Sequence, residues 1–304
     1  MKTSIIARSA LTSILRNKTR SFLTTLGVII GVLSVILLTS IGNGLTVFVE
    51  EQFKDLGSNL LIIAPGEIVN EDGGFNQEQA ALSVVNSKLS LNNVKALERV
   101  GSPIGDVVPV IQGSAEVRNE KGKKMGISFA TTAKYGPIRN TNTTKGRFLS
   151  DSDVVGNRKV VVIGNKIAEK LFAGVEPVGQ NVTINRVRFQ VIGVIEKKSD
   201  GGFGGPDLDS VVYIPISTAK SALGQDKMSN ILVQATSKQD IPVAKDKIRS
   251  TLEKSLNKED FSVTDQAEIL KTIQTLLGTV TVGLAGIAAI PLVGGGIGIM
   301  NSTL

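Results

Sequence analysis

Two pairs of aspartates spaced two residues apart are the clearest candidates for chemistry in this sequence. Asp151 and Asp153 lie in "DSDVVGN", which begins like a calcium-binding EF-hand loop and has a glycine at its sixth position. Positions five and twelve are Val155 and Val162, where such a loop needs oxygen ligands. We therefore expect a solvated turn or a helix cap here, and no metal ion.

The second pair, Asp207 and Asp209, flanks the glycine-rich stretch "GGFGGP". These carboxylates could hold a metal ion, but the same pattern is typical of a plain surface loop. The glycines do not form a phosphate cradle, because the chain contains no GxxxxGK[ST] motif. Any ATP-driven activity would therefore require another subunit.

Missing residue types exclude most catalytic chemistry. The 304 residues include no histidine and no cysteine, which removes the Ser-His-Asp triad, the Cys-His pair and His-ligated zinc. Only carboxylate or Ser/Lys chemistry remains, as in a membrane-anchored exterior hydrolase. We favour a protein with no catalytic residue, no cofactor and no metal.

Two long segments without ionisable side chains frame the chain. The first runs from Ser21 to Val49, and the second begins at Thr272 and continues to Leu304. As a helix rising about 1.5 Å per residue, such a segment can cross a hydrocarbon core of roughly 30 Å. We predict transmembrane helix 1 at 21–49, a domain at 50–271, and the end of a stalk with transmembrane helix 2 at 272–304.

The distribution of charge predicts the orientation. Of 34 Lys and Arg residues, five lie in the basic segment 1–20, which has no acidic residue; they are Lys2, Arg8, Arg16, Lys18 and Arg20. The remaining 29 share the segment 50–271 with all 27 Asp and Glu residues. The positive-inside rule then places the N-terminus in the cytoplasm and the large domain outside. With no Trp and only two Tyr, stacking platforms for bases are scarce, so we expect no nucleic-acid partner.

Short strand and helix patterns alternate within the middle domain. Apolar runs predict strands in "SNLLIIAPG", "SVVYIPIS" and "NILVQATS", and hairpins in "DVVPVIQGSAEVRNEKGKKMGISFATT" and "NVTINRVRFQVIGVIEKK". Ser90 and Asp240 are predicted caps of two helices. The second helix has five apolar residues on one face: Ile241, Ala244, Ile248, Leu252 and Leu256. Because hairpins dominate, we predict an α+β exterior domain.

Glycines four residues apart occur in both apolar segments. Gly27 and Gly31 lie in the first, and Gly294 and Gly298 in the second. Such pairs leave one helix face without side chains, so another helix can approach closely. Alternatively, the pairs only reflect how common small residues are in membrane helices.

The sequence resembles a known family of membrane proteins. "ARSALTSILRNKTRSFLTTLGVIIGVLSVILLTSIGNG" is similar to the N-terminal span of MacB/FtsX-type permeases of ABC transporters. "GRFLSDSDV", "VVVIGNKIAEKLF", "PVGQNVTINRVRFQVIGVIEKK" and "VYIPISTAKSAL" resemble successive blocks of that family's exterior core domain, and "GLAGIAAIPLVGGGIGIMN" resembles its second span. The blocks occur in the family's order over nearly the whole chain.

The resemblance implies a fold and a mode of action. The exterior α+β domain would comprise a porter-like lobe and a smaller lobe, flanked by membrane helices. Such permeases act as dimers, each protomer paired with a cytoplasmic ATPase whose motion passes along a stalk to the exterior domain. Here "SVTDQAEILKTIQTLLG" could continue helically into the second span as that stalk. We expect force to be carried by Ile269, Ile273, Leu276 and Leu277.

The chain departs from the family pattern at its end. The family has four spans, whereas this sequence stops at Leu304, so we expect a truncated product, a fragment or half of a split permease. Pro291 should also kink the second span.

The preferred hypothesis is a non-catalytic permease subunit of an ABC exporter or mechanotransmission complex in the cell membrane. It would contact lipid, an ATPase, a second copy or another permease chain, and an adaptor protein. The alternative is a two-span receptor or sensor with a ligand-binding exterior domain and a missing signalling module.

Overall fold

The computed structural model describes residues 25–26, 29–34, 36–37, 39–44, 47, 59–66, 82–197, 209–275, 277–283 and 286. The chain divides into two compact units. One comprises Met1–Gln52 with Leu270–Leu304, and the other comprises Phe53–Ile269. The predicted basic segment 1–20, the glycine-rich stretch "GGFGGP" and Pro291 lie outside the described residues.

A single mixed sheet organises the unit formed by residues 53–269. Its described strands are β1 (Leu60–Pro65), β2 (Ile104–Asn119), β3 (Gly122–Thr131), β4 (Thr143–Gly146), β5 (Val160–Ile163), β6 (Asn181–Ile184), β7 (Val187–Ile195), β8 (Val211–Pro215), β9 (Asn230–Ala235) and β10 (Phe261–Asp265). The order is β10-β1-β9-β2-β3-β8-β5-β7-β4, and β6 pairs with β2 and β7. Only β3–β8 and β5–β7 are parallel among these pairings. The α+β prediction is confirmed, and the described strands of residues 53–269 form one sheet.

Local turn chemistry explains both predicted hairpins. Strands β2 and β3 pair from Ile111↔Ala130 to Asn119↔Gly122, which leaves a two-residue turn. Strands β6 and β7 are joined by Asn185 and Arg186, whose φ angles are 46° and 73°. Two successive positive φ angles define the turn type whose twist suits a two-residue hairpin.

Six helices are labelled here: α1 (Leu91–Glu98), α2 (Tyr135–Ile138), α3 (Asp151–Val155), α4 (Asn165–Phe172), α5 (Ile216–Leu223) and α6 (Ile241–Leu252). The predicted start of α1 is confirmed, because the Ser90 N–H donates to Asn93 Oδ1 over 2.8 Å. The predicted N-cap position of α6 at Asp240 is confirmed, but the side chain does not form the capping hydrogen bond. Its carboxylate accepts the Ser237 hydroxyl over 2.7 Å and makes no hydrogen bond to the N-terminus of α6.

The two faces of the sheet are covered differently. Helices α1, α4, α5 and α6 pack on one face and form the larger apolar core, which includes Leu97, Ile167 and Ile248. A smaller cluster on the other face is built around Tyr135, Leu149 and Tyr213. The second face is therefore less deeply covered than the first.

The described parts of the other unit are helical. Helical residues occur at 25–47 and at 277–286, with the gaps given above. In these described residues, no helix combines the length and apolar character needed to cross a bilayer.

The segment "GRFLSDSDV" folds around a buried carboxylate. Asp153 is fully buried, and Arg147 donates to its two oxygens over 2.6 and 3.1 Å. The N–H and hydroxyl of Ser150 also donate to Asp153 Oδ2, over 3.0 and 2.7 Å, at the start of α3. Asp153 is therefore a helix cap, and the solvated-turn alternative is wrong. Burial raises the pKa of Asp153, but the hydrogen bonds from Arg147 and Ser150 outweigh it and lower the pKa to about 2.

We predict that Asp153→Asn lowers the free energy of unfolding at pH 7 by about 2 kcal/mol, the equivalent of the shift in pKa. Because the folded-state pKa is depressed, this stabilisation is present above pH 4 and is lost as the pH falls toward about 2. Thermal unfolding of the full chain in detergent, followed by circular dichroism across this range, measures the difference. The exposed Asp151→Asn is the control, and a gap between wild type and Asp153→Asn that persists unchanged at pH 2 would contradict the prediction.

Candidate functional site

The chain enters and leaves the sheet at adjacent positions. Strand β1 begins at Leu60 and β10 ends at Asp265, and the antiparallel register places Leu61 opposite Asp265. Among the described strands, β10 pairs with β1 alone, through five residue pairs. The helical segment 266–275, called the exit helix below, begins directly after β10. The covalent connection from the exit helix to the sheet therefore runs through this edge strand.

Two carboxylates fix the start of the exit helix. The Glu268 N–H donates to Asp265 Oδ1 over 2.9 Å, and the Asp265 N–H donates to Glu268 Oε2 over 3.3 Å. Such a reciprocal capping box satisfies two backbone donors at the first turn and favours negative charge there. The strand-to-helix change is thereby fixed at Asp265.

A lysine from α6 connects this cap to the domain core. Lys245 is only 9% exposed, and its Nζ donates to Glu268 Oε1 over 2.5 Å and lies 3.9 Å from Asp265 Oδ2. On α6, the neighbouring Ala244 and Ile248 are fully buried in the larger core. The exit helix is therefore held to the body of the domain by an ion pair as well as by the β10 ladder.

The predicted stalk residues lie in or after this helix. Ile269 and Ile273 are helical and half-buried, and so is Leu277, whereas Leu276 lies outside the described residues. The proposed helical continuation does not hold for Ser262–Asp265, which belong to β10. Sequence reasoning missed Asp265, Glu268 and Lys245, although the spacing in "DQAE" is a recognisable capping-box signal.

The glycine pairs are only partly described. Gly31 is helical and buried, whereas Gly27, Gly294 and Gly298 lie outside the described residues, as do all five basic topology residues. Within the same unit, a Cβ added to Gly42 would lie 3.1 Å from Thr281 Oγ1. A close helix approach therefore occurs at a glycine that the spacing argument did not select.

The predicted metal candidates do not form a site in the described part of the chain. Asp207 lies outside it, and Asp209 is 2% exposed instead of lying in a surface loop. No group of three His, Cys, Asp or Glu residues suited to a metal occurs among the residues that the structure describes.

Two solved domains share the fold of this chain. Its fold is that of the exterior domains of ABC-type transporters. The periplasmic region of MacB from Actinobacillus actinomycetemcomitans matches 74% of this chain and 97% of that one, with a TM-score of 0.62 and 22% identity. The extracellular domain of the noncanonic ABC-type transporter YknZ from Gram-positive bacteria matches 68% of this chain and 100% of that one, with a TM-score of 0.54 and 20% identity.

The chain belongs to the MacB-like periplasmic core domain family, whose family model matches residues 21–251. It is 34% identical over 299 residues to the macrolide export ATP-binding/permease protein MacB of Bdellovibrio bacteriovorus, covering 95% of this chain and 44% of that protein. It is 33% identical to the MacB of an Azoarcus species, covering 98% of this chain and 44% of that protein. The family resemblance is confirmed, and the chain spans less than half the length of these relatives.

We predict that Lys245→Met loosens the start of the exit helix, because it leaves Asp265 and Glu268 close together without a cation. Amide hydrogen exchange of residues 262–270 should accelerate about tenfold, as expected for losing one partly buried charged pair. The double variant Lys245→Met/Glu268→Gln should recover part of the protection. Lys254→Met, at an exposed lysine, is the control. Equal exchange in Lys245→Met and Lys254→Met would contradict the assignment.

Proposed function

We propose that this chain is a permease subunit of an ABC-type exporter or mechanotransmission complex. It crosses the cell membrane at 21–49 and 272–304, with residues 1–20 in the cytoplasm and the domain 50–271 outside. It passes the motion of a partner ATPase to that exterior domain and performs no catalysis itself. The observation that carries this proposal is the capped exit helix, which continues directly from an edge strand of a MacB-type domain.

The edge of the sheet is suited to transmitting a pull. Ladder hydrogen bonds run perpendicular to antiparallel strands, so a force along β10 loads all of its bonds to β1 together. Strand β1 also pairs with β9 from Leu60↔Gln234 to Ile63↔Ile231, which passes the load to the interior of the sheet. The contact from Lys245 to Glu268 restrains rotation of the exit helix relative to α6. Motion of that helix would therefore move the domain as a body.

We infer the other partners from the family relationship. The chain contains no Walker A motif, so ATP hydrolysis belongs to a separate ATPase or to a part outside this sequence. We infer a homodimer or a pair with a second permease chain, contact with membrane lipid, and an adaptor protein. Because the relatives are named macrolide export proteins, macrolides are the first cargo to test in an efflux assay.

The proposed topology is testable because the chain has no native cysteine. We predict that Glu120→Cys, in the turn between β2 and β3, reacts with a membrane-impermeant maleimide in intact cells. Lys18→Cys should react only after permeabilisation, because residues 1–20 are proposed to be cytoplasmic. The cysteine-free chain gives the background. Protection of Glu120→Cys in intact cells would overturn the orientation and the transport proposal with it.

The transmission role requires a complex whose exterior domains respond to nucleotide. We predict that mild-detergent purification from the native cell recovers a dimer with a bound ATPase. Nitroxide labels on Glu120→Cys in the two protomers should change their separation between the ADP-bound and ATP-trapped states, as measured by electron paramagnetic resonance. Adding Lys245→Met should leave the ATPase bound but reduce this change, whereas adding Lys254→Met should not. A full-length product that never associates with an ATPase would favour the receptor alternative.

A further inference from the structure

A cavity of about 240 Å³ lies on the less covered face of the sheet. It is lined by side chains from β1, β2, β3, β7, β8 and β9, from α2 and from the segment that follows α2. The residues used in the argument below are Gln112, Phe129, Tyr135, Arg139, Tyr213 and Asn230. At about 30 Å³ per water molecule, the volume is that of roughly eight waters, which suits a compact ligand smaller than most drugs.

Aromatic rings form one wall of the cavity. Phe129 stacks on Tyr213 with ring centroids 5.6 Å apart, and Tyr135 lies 5.2 Å from Tyr213 at an interplanar angle of 49°. Tyr135 and Tyr213 are about 95% buried, so their rings are fixed by packing before any ligand arrives. A planar apolar ring can pack against such a wall without any reordering of these side chains.

Polar groups lie at other points of the lining. The Asn230 Oδ1 atom is buried and has no hydrogen-bond partner among the described residues. Leaving such an atom unsatisfied is unfavourable, but it is inaccessible to solvent, so a ligand in the cavity would reach it only if the Asn230 side chain shifted. Arg139 adds a permanent positive charge, which favours an anionic group over a cationic one.

We propose that this cavity binds a small aromatic carboxylate. The ring would pack against Phe129, Tyr135 and Tyr213, and the carboxylate would face Arg139. This proposal concerns ligand recognition by the exterior domain and does not depend on ATP-driven transmission.

Fluorine NMR with 4-fluorobenzoate as the probe tests the proposal on the full chain in neutral-lipid nanodiscs. We expect saturable binding in the millimolar range or tighter, above the signal from empty nanodiscs. The cationic probe 4-fluorobenzylamine should bind about tenfold more weakly, because Arg139 repels it. Arg139→Gln should remove most of this difference between the two probes.

Two matched tryptophan variants test whether 4-fluorobenzoate binds in this cavity. Gln112 is exposed at the cavity, so Gln112→Trp should fill the space without removing a core side chain and should weaken 4-fluorobenzoate binding at least tenfold. Gln190 is an exposed strand residue that does not line the cavity, and Gln190→Trp should bind like the wild type. The absence of saturable binding to the wild type would overturn the proposal. Undiminished binding to a folded Gln112→Trp, or equal binding of both probes by the wild type, would also overturn it.

Discussion

The antiparallel pairing of β1 with β10 is the constraint on which the rest of this structure depends. It brings the first and last strands of a domain of about 200 residues side by side, although they are distant in sequence. The flanking segments consequently join the sheet at one corner, beside Leu61 and Asp265. With only one neighbour among the described strands, β10 relies on that ladder and on the polar contacts at its end.

Two clusters of buried charge among the described residues differ in arrangement and in place. Around Asp153, two arginines and a serine cap enclose one carboxylate and fix the short helix α3 against the sheet. Around Lys245, the arrangement is reversed, because one cation from α6 faces two carboxylates at the start of the exit helix. The first cluster joins α3 to the residues that follow β4, whereas the second joins α6 to the start of the exit helix. Under the proposed function, the first would serve stability and the second mechanical coupling.

Local patterns in the sequence predicted local structure well. The hairpin of β6 and β7, the hairpin of β2 and β3, and the start of α1 at Ser90 all depend on neighbouring residues, and the structure confirms them. The exit helix was predicted to begin too early, because Ser262–Asp265 become a strand only through distant pairing with β1. Likewise, no local signal places Lys245 beside Glu268, since that contact depends on how α6 packs. The cavity around Tyr213 was also not predictable, because its lining comes from elements throughout the domain.

The length of β2 has a mechanical consequence. Its 16 residues span about 50 Å at the rise of an extended strand, and along that length it pairs with β9, β3 and β6. The strands that are hydrogen-bonded to β2 on both sides resist its bending. A tilt of β2 near β9 would therefore be carried along the strand to the hairpin tip at Glu120, where Asn119 and Lys121 donate to carbonyls at the end of α4 and would pass the displacement to that helix.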